Sequence, residues 1–252
     1  MLFSMSPAWS SALIALSMAR LVATSPQTPR QPYHQPLPPV SERLLGPASE
    51  FANLSPSECR RRLSQAGLNK DSFERRGPTN GVATPLRIVA PVGGVRFIVP
   101  PAGSPYGTLD CRQALLWMKI APVLVEHRVA SIRIDNFYRN RARIRAGKKS
   151  QHAYGLAADV VSITLEDGRV LDVEDDFLGK RGSPVCGPRA TISAPPGVGA
   201  EKIEKAVLMR NWVCDLARRG AFHHILTPNY NAAHRDHLHL DIKRDNRWLS
   251  VD

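Results

Sequence analysis

His234-Arg235-Asp236-His237-Leu238-His239-Leu240-Asp241 gathers three of the chain's eight histidines within six positions. Read as a β-strand, the segment alternates, so His237, His239 and Asp241 project from one face while Leu238 and Leu240 meet a core. Two imidazoles then converge on one cleft. The bland alternative is an exposed histidine-rich loop. A second segment, Ser150-Gln151-His152-Ala153-Tyr154-Gly155-Leu156-Ala157-Ala158-Asp159, sets an imidazole and a carboxylate seven positions apart around a glycine bend. Alone such a pair is common. Beside the histidine-rich strand it completes the kind of donor set a catalytic zinc needs, three N and O ligands with one position left open for water.

The rest of the chain reads as a mixture of strands and helices. Val129 to Phe137 alternates Val129, Ser131 and Arg133 against Ala130, Ile132 and Ile134, which predicts a strand. Asp159 to Leu165, Arg169 to Val173, Phe222 to Leu226 and Leu238 to Ile242 read as four more. Asp110 to Glu126 repeats apolar residues at Ala114, Leu115, Met118, Ala121 and Val125 behind a capping Asp110, which predicts a helix kinked at Pro122. Lys202 to Arg218 reads as a second long helix. Ser55-Pro56-Ser57-Glu58 looks like the start of another, carrying Cys59, Leu63 and Leu68. The expected class is α+β, a mostly antiparallel sheet with flanking helices.

Upstream, Pro26 to Pro47 holds seven prolines and almost no apolar periodicity, so residues 26–54 are expected to form an extended, disordered tether. One domain then spans residues 55–252. Ser11-Ala12-Leu13-Ile14-Ala15-Leu16-Ser17-Met18-Ala19, followed by Arg20 and small residues, resembles a secretory signal over residues 1–25, though without a basic start. No uninterrupted apolar run reaches about 18 residues, which argues against a multi-span membrane protein.

Lys and Arg number 34 against 22 Asp and Glu, a net charge of +12 spread along the chain rather than held in a tail. Such a field attracts nucleic acid, anionic lipid and anionic cell wall alike. The densest run is Arg139, Arg141, Arg143, Arg145, Lys148 and Lys149. It has no aromatic after Tyr138 to stack a base and no surrounding nucleic-acid motif, which weighs against nucleic acid as a partner. The four cysteines lack C-x-x-C spacing, so they do not read as a zinc site. In an exported chain they would form disulfides, in any of three connectivities; otherwise they are buried thiols.

The Ser150–Asp159 segment resembles the S-x-H-x-x-G-x-A-x-D signature of the zinc fold shared by D-Ala-D-Ala metallopeptidases, murein endopeptidases and the hedgehog signalling domain. His234-x-x-His237-x-His239 is similar to its second signature. Phe222 to Asp241 also resembles the bacterial extensin-like C-terminal domain family, with similarity running from about Cys59 to Ile242.

The resemblance implies zinc as cofactor, held by His152, Asp159 and His239, with water in the fourth place. Zinc lowers the pKa of that water from 15.7 to roughly 7, generating hydroxide that attacks an amide carbonyl. A base is also implied. In the dipeptidase branch it is a Glu three residues before the last ligand, where this chain has Asp236; in murein endopeptidases histidines take over. On a regular strand Asp236 points away from His239 while His237 shares its face, so His237 is preferred, and a bend at Arg235 would reverse the choice. Asp236 could otherwise be a surface carboxylate paired with Arg235 or Arg244. His234 would orient a ligand, and Asp241 would accept an imidazole proton and fix its tautomer. A Tyr-x-Cys-Arg element of the family aligns with Tyr138-Arg139-Asn140-Arg141, which implies Arg141 as the positive charge at the developing oxyanion, unless it is one member of a solvated basic strand.

The family also carries a cysteine at the position of Asn140 and one before Gly81-Val82, where this chain has Asn80. Losing both together implies that they pair, leaving Cys59 with Cys111 and Cys186 with Cys214. The implied function is that of a periplasmic or secreted zinc-dependent hydrolase of amide bonds in peptidoglycan peptides, of carboxypeptidase or endopeptidase type. The alternative is a zinc-stabilised, non-catalytic module for wall binding or interaction.

Overall fold

The computed structural model describes residues 34–144 and 147–252. The signal-like start, the first part of the tether and Arg145 lie outside the described residues. Among the described residues six α-helices follow one another as α1 (Val40–Arg43), α2 (Pro47–Ala52), α3 (Pro56–Ser64), α4 (Cys111–Glu126), α5 (Val173–Asp176) and α6 (Ala200–Arg218). The strands are β1 (Phe73–Arg75), β2 (Pro85–Ile88), β3 (Arg96–Ile98), β4 (Leu109–Asp110), β5 (Val129–Asn136), β6 (Ala157–Leu165), β7 (Val170–Asp172), β8 (His224–Leu226), β9 (Leu238–Asp241) and β10 (Ser250–Val251).

The class is α+β, as the periodicities imply. A small sheet runs β1-β2-β4, and a larger one runs β10-β8-β9-β6-β5-β3 with β7 paired to β6. The expectation of a mostly antiparallel sheet is corrected to a mixed one. The inner pairings are antiparallel, but both ends of the larger sheet, β3 on β5 and β10 on β8, are parallel. The physical reason at the first end is a helical crossover, because a parallel pair cannot be closed by a tight turn and α4 carries the chain from β3 back to β5.

Asp110 caps α4, its Oδ1 accepting the Arg112 N–H at 3.1 Å, and Pro122 lies inside the helix. Trp117 of α4 is fully buried between Phe97 of β3 and Phe222, edge-on to both at 5.1 and 5.5 Å between ring centres. Truncating a ring so placed to alanine costs about 3–5 kcal/mol. Ala158, Val160, Leu238 and Leu240 join this core. Their strand neighbours Asp159, His239 and Asp241 therefore belong to the opposite face of the sheet.

Residues 40–54 differ from the expected tether. Ala48, Phe51 and Ala52 are buried, and the Ala48 N–H donates to the Gly220 carbonyl. Their i, i+3, i+4 spacing gives α2 one apolar stripe, and Pro47 stands at its first turn, where a missing N–H costs nothing. The helix begun at Ser55 ends at Ser64, short of Leu68, with the Ser55 side chain accepting the Glu58 N–H.

Two disulfides, Cys59–Cys111 and Cys186–Cys214, tie α3 to the start of α4 and the chain after α5 to α6. These are the pairs the family resemblance implies. Among the described residues no helix is long and apolar enough to cross a membrane.

Candidate metal centre

Three strands and one short turn bring the polar cluster together. In the sheet register Asn136 of β5 faces Asp159 of β6, Asp159 faces His239 of β9, and His239 faces Leu226 of β8. Asn136 reaches this row through a bulge. Ile134 pairs with Val160 but Asn136 pairs with Asp159, so two residues of β5 are spent against one of β6. The extra residue, Asp135, turns Asn136 from the core face to the polar face.

His152 arrives from the other side on a 3-10 turn, Gln151–Tyr154. Ser150 caps that turn, its Oγ accepting the His152 N–H at 3.3 Å. Gly155 ends it with φ +64°, and a Cβ there would lie 2.9 Å from the backbone nitrogen of Asp110. Only glycine fits both the left-handed backbone and that approach. The serine and glycine of the segment thus have local jobs, and both serve to aim His152.

His152 Nε2, Asp159 Oδ1 and His239 Nδ1 form a buried triangle: 3.0 Å from His152 to Asp159, 3.1 Å from His239 to Asp159 and 3.1 Å between the two nitrogens. Each residue's outer atom is engaged elsewhere. His152 Nδ1–H donates to the Phe137 carbonyl at 3.1 Å, His239 Nε2–H donates to Asp241 Oδ2 at 3.0 Å, and Asp159 Oδ2 accepts from Asn136 Nδ2 at 3.0 Å. These contacts select the tautomers that leave His152 Nε2 and His239 Nδ1 as lone-pair donors facing the carboxylate.

The donor set fits a small divalent metal. Metal–ligand bonds of about 2.0–2.1 Å in a tetrahedron put neighbouring donors about 3.3–3.4 Å apart, close to the spacing of the triangle. His152, Asp159 and His239 are the group of described residues able to hold a metal ion. The same triangle can also hold a proton. Burial pushes the His152 ring down. Burial also opposes a charge on His239, yet hydrogen bonds to Asp159 and Asp241 raise it to about 9. Asp159, which burial would raise, is held well below the carboxylate range by the two imidazoles.

His237 stands at the rim, its Nε2 3.6 Å from Asp159 Oδ1 and its Nδ1–H donating to Asp236 Oδ1 at 2.8 Å. The Asp236 side chain is 41% exposed and also lies 3.7 Å from Arg235. His234 ring-packs against His237 and His239 at 5.1 and 5.9 Å, and its Nδ1–H donates to Asn231 Oδ1 at 2.8 Å. Burial lowers the His234 ring to about 4, so it is neutral at neutral pH.

A family model described as extensin-like protein C-terminus matches residues 57–186 and 202–250. The chain belongs to that family. No curated protein and no solved structure matches it. Every member of the triangle, together with His234, Asp236, His237 and Asp241, falls inside the matched blocks of the extensin-like domain.

Arg141 is not part of this cluster. It is exposed on a turn with φ +54°, and the guanidinium that reaches the extensin-like centre is that of Arg139, with Nη2 3.5 Å from Asp159 Oδ2. Counting from Tyr138 leads to Arg141, but the chain turns through that left-handed residue after Asn140 and leaves Arg139 as the arginine beside Asp159. Asn136 and His224, which donates Nδ1–H to Asp241 Oδ1 at 2.7 Å, are two further polar partners that residue patterns do not single out. The one usable signal is His224's position two residues before the end of an apolar strand.

Proposed function

We propose that this extensin-like chain is a zinc-dependent hydrolase of amide bonds in peptidoglycan peptides, built on the fold of the D-Ala-D-Ala metallopeptidases and working outside the cytoplasm. The observation that carries the reading is the triangle of His152 Nε2, Asp159 Oδ1 and His239 Nδ1, with a further imidazole at its edge. Zinc held there supplies Lewis acidity, polarising a carbonyl and lowering the pKa of water towards 7.

The chain's own groups do the rest. His237 is held by Asp236 at Nδ1, which leaves Nε2 free to take a proton from the attacking water and return it to the leaving amine. Asp236 orients rather than reacts. Arg139, half exposed beside Asp159, brings positive charge to the mouth of the site, where a carbonyl oxygen becomes negative. His234 is kept neutral and lies between the solvent-facing Tyr230 and the other imidazoles. The two disulfides suit an oxidising compartment, and the basic surface suits an anionic wall.

The test is incubation of the purified full chain with defined muropeptides, with zinc, with chelator, and with zinc restored. Zinc-dependent release of a peptide or amino acid is expected. Zinc uptake without cleavage of any muropeptide would leave the non-catalytic wall-binding module as the better reading.

A further inference from the structure

We infer that His224 is a positioning residue for the metal centre, gripping Asp241 so that Asp241 in turn fixes His239, and that the C-terminal strand holds His224 in place. The inference rests on the metal reading above and extends it outward by one layer.

A carboxylate that accepts a single hydrogen bond can still turn about its Cβ–Cγ bond. Asp241 is bound at both oxygens: Oδ2 accepts His239 Nε2–H at 3.0 Å and Oδ1 accepts His224 Nδ1–H at 2.7 Å. With both taken, the plane of the carboxylate is set, and so is the direction in which His239 presents Nδ1. The sheet makes this pairing available, since His224 and Asp241 are register partners across β8 and β9. Burial would raise the Asp241 carboxyl, but the two imidazoles hold it as a carboxylate.

His224 is itself clamped. Its side chain is 12% exposed, and the Trp248 ring lies over it at 4.5 Å between ring centres. Ser250 of β10 pairs with His224 in parallel, with the Ser250 N–H donating to the His223 carbonyl at 2.9 Å and the Asp252 N–H to the Ile225 carbonyl at 3.0 Å. His224 Nε2 has no hydrogen-bond partner among the described residues, so the ring is held by Asp241 on one edge and by packing on its face. Trp248 and Ser250, which do not touch the ligands themselves, therefore bear on His239 through one imidazole and one carboxylate.

The experiment measures zinc affinity of the full chain by competition with a chromophoric chelator, and the visible spectrum of the cobalt-substituted protein, for wild type, His224→Leu, His224→Asn and Trp248→Ala. His224→Leu is expected to weaken zinc binding about tenfold or more and to alter the cobalt bands. His224→Asn, whose amide N–H can stand where Nδ1–H stood, is expected to restore most of both. Trp248→Ala is expected to weaken binding severalfold, and it carries the test if the leucine variant does not fold. Unchanged affinity and spectrum in a folded His224→Leu, or an asparagine variant as impaired as leucine, would overturn the inference while leaving the metal reading standing. No metal on wild type would overturn both.

Discussion

Asn80 Nδ2 donates a hydrogen bond to Asn140 Oδ1 across 3.1 Å, and the Tyr138 hydroxyl ties down the same corner by donating to the Asn80 carbonyl at 2.8 Å. The extensin-like resemblance puts a pair of cysteines at these two positions. Here a polar contact spans the 60-residue separation in place of a covalent one. Joint replacement, Asn80→Cys with Asn140→Cys, should give a third disulfide on a non-reducing gel. Closing a loop of that length stabilises by about 4 kcal/mol in the chain-entropy model, so the oxidised variant should melt several degrees higher than the wild type with its two disulfides intact. Two free thiols after mild oxidation would show that the side chains do not approach as the hydrogen bond indicates.

Metal should stabilise the folded chain, because the triangle exists only when β6, β9 and the Gln151–Tyr154 turn are assembled. At a free zinc concentration 100 times its Kd, the gain is about 2.7 kcal/mol. A thermal melt with zinc and with chelator reads it directly. His152→Ala and His239→Ala should lose the zinc-dependent shift, and a shift that survives both would place the ion elsewhere.

Arg139 and Arg141 offer a controlled comparison, being two residues apart with only Arg139 beside Asp159. In the muropeptide assay Arg139→Gln should reduce kcat by about 10²–10³, the range for loss of one group stabilising a developing oxyanion. Arg141→Gln should stay near wild type. The reverse result would restore the assignment made by counting from Tyr138.

Much of this centre is legible in the amino-acid sequence itself, and the legible parts share a cause. β5, β6, β9, α4 and α6 are long or strongly periodic, so one face of each is dictated by burial. The serine and glycine flanking His152 announce a cap and a left-handed stop. What stays hidden depends on single-residue events. One extra residue at Asp135 swaps the face of Asn136, and one left-handed residue at Arg141 turns that side chain away and leaves Arg139 beside Asp159. The strands β3 and β10 are two or three residues long and pair in parallel, so they carry no alternation to read. The helix α2 is masked by the prolines around it, although Ala48, Phe51 and Ala52 stand at helical spacing.

His237 and Asp236 separate proton transfer from metal retention. His237→Ala should keep zinc and lose about 10²–10⁴ in kcat, the usual worth of a positioned base. Asp236→Asn should lose less, since the amide oxygen can still accept from Nδ1. A dead Asp236→Asn beside a nearly normal His237→Ala would make Asp236 the base.

The acid sensitivity of the fold should report on His223, which is buried away from the triangle. The Lys243 N–H donates to His223 Nδ1 at 2.9 Å, so the ring's proton sits on Nε2, which donates to Ser49 Oγ at 3.2 Å. Burial lowers this ring to about 4 from an ordinary 6.5. Between those two values the unfolded chain takes up a proton that the folded chain refuses. The stabilisation is therefore complete above about pH 6.5 and is lost as pH falls towards 4, amounting to something on the order of 3 kcal/mol. The consequence is local as well, because the added proton on Nδ1 would face the Lys243 N–H and break that hydrogen bond, while Nε2–H still donates to Ser49 of α2. His223→Gln can accept from Lys243 and donate to Ser49 but does not titrate. Urea unfolding of both proteins at pH 7 and pH 4, in chelator to keep metal out of the comparison, should show a smaller acid loss in the variant. Equal losses would mean that other groups, the buried carboxylates first among them, carry the acid transition.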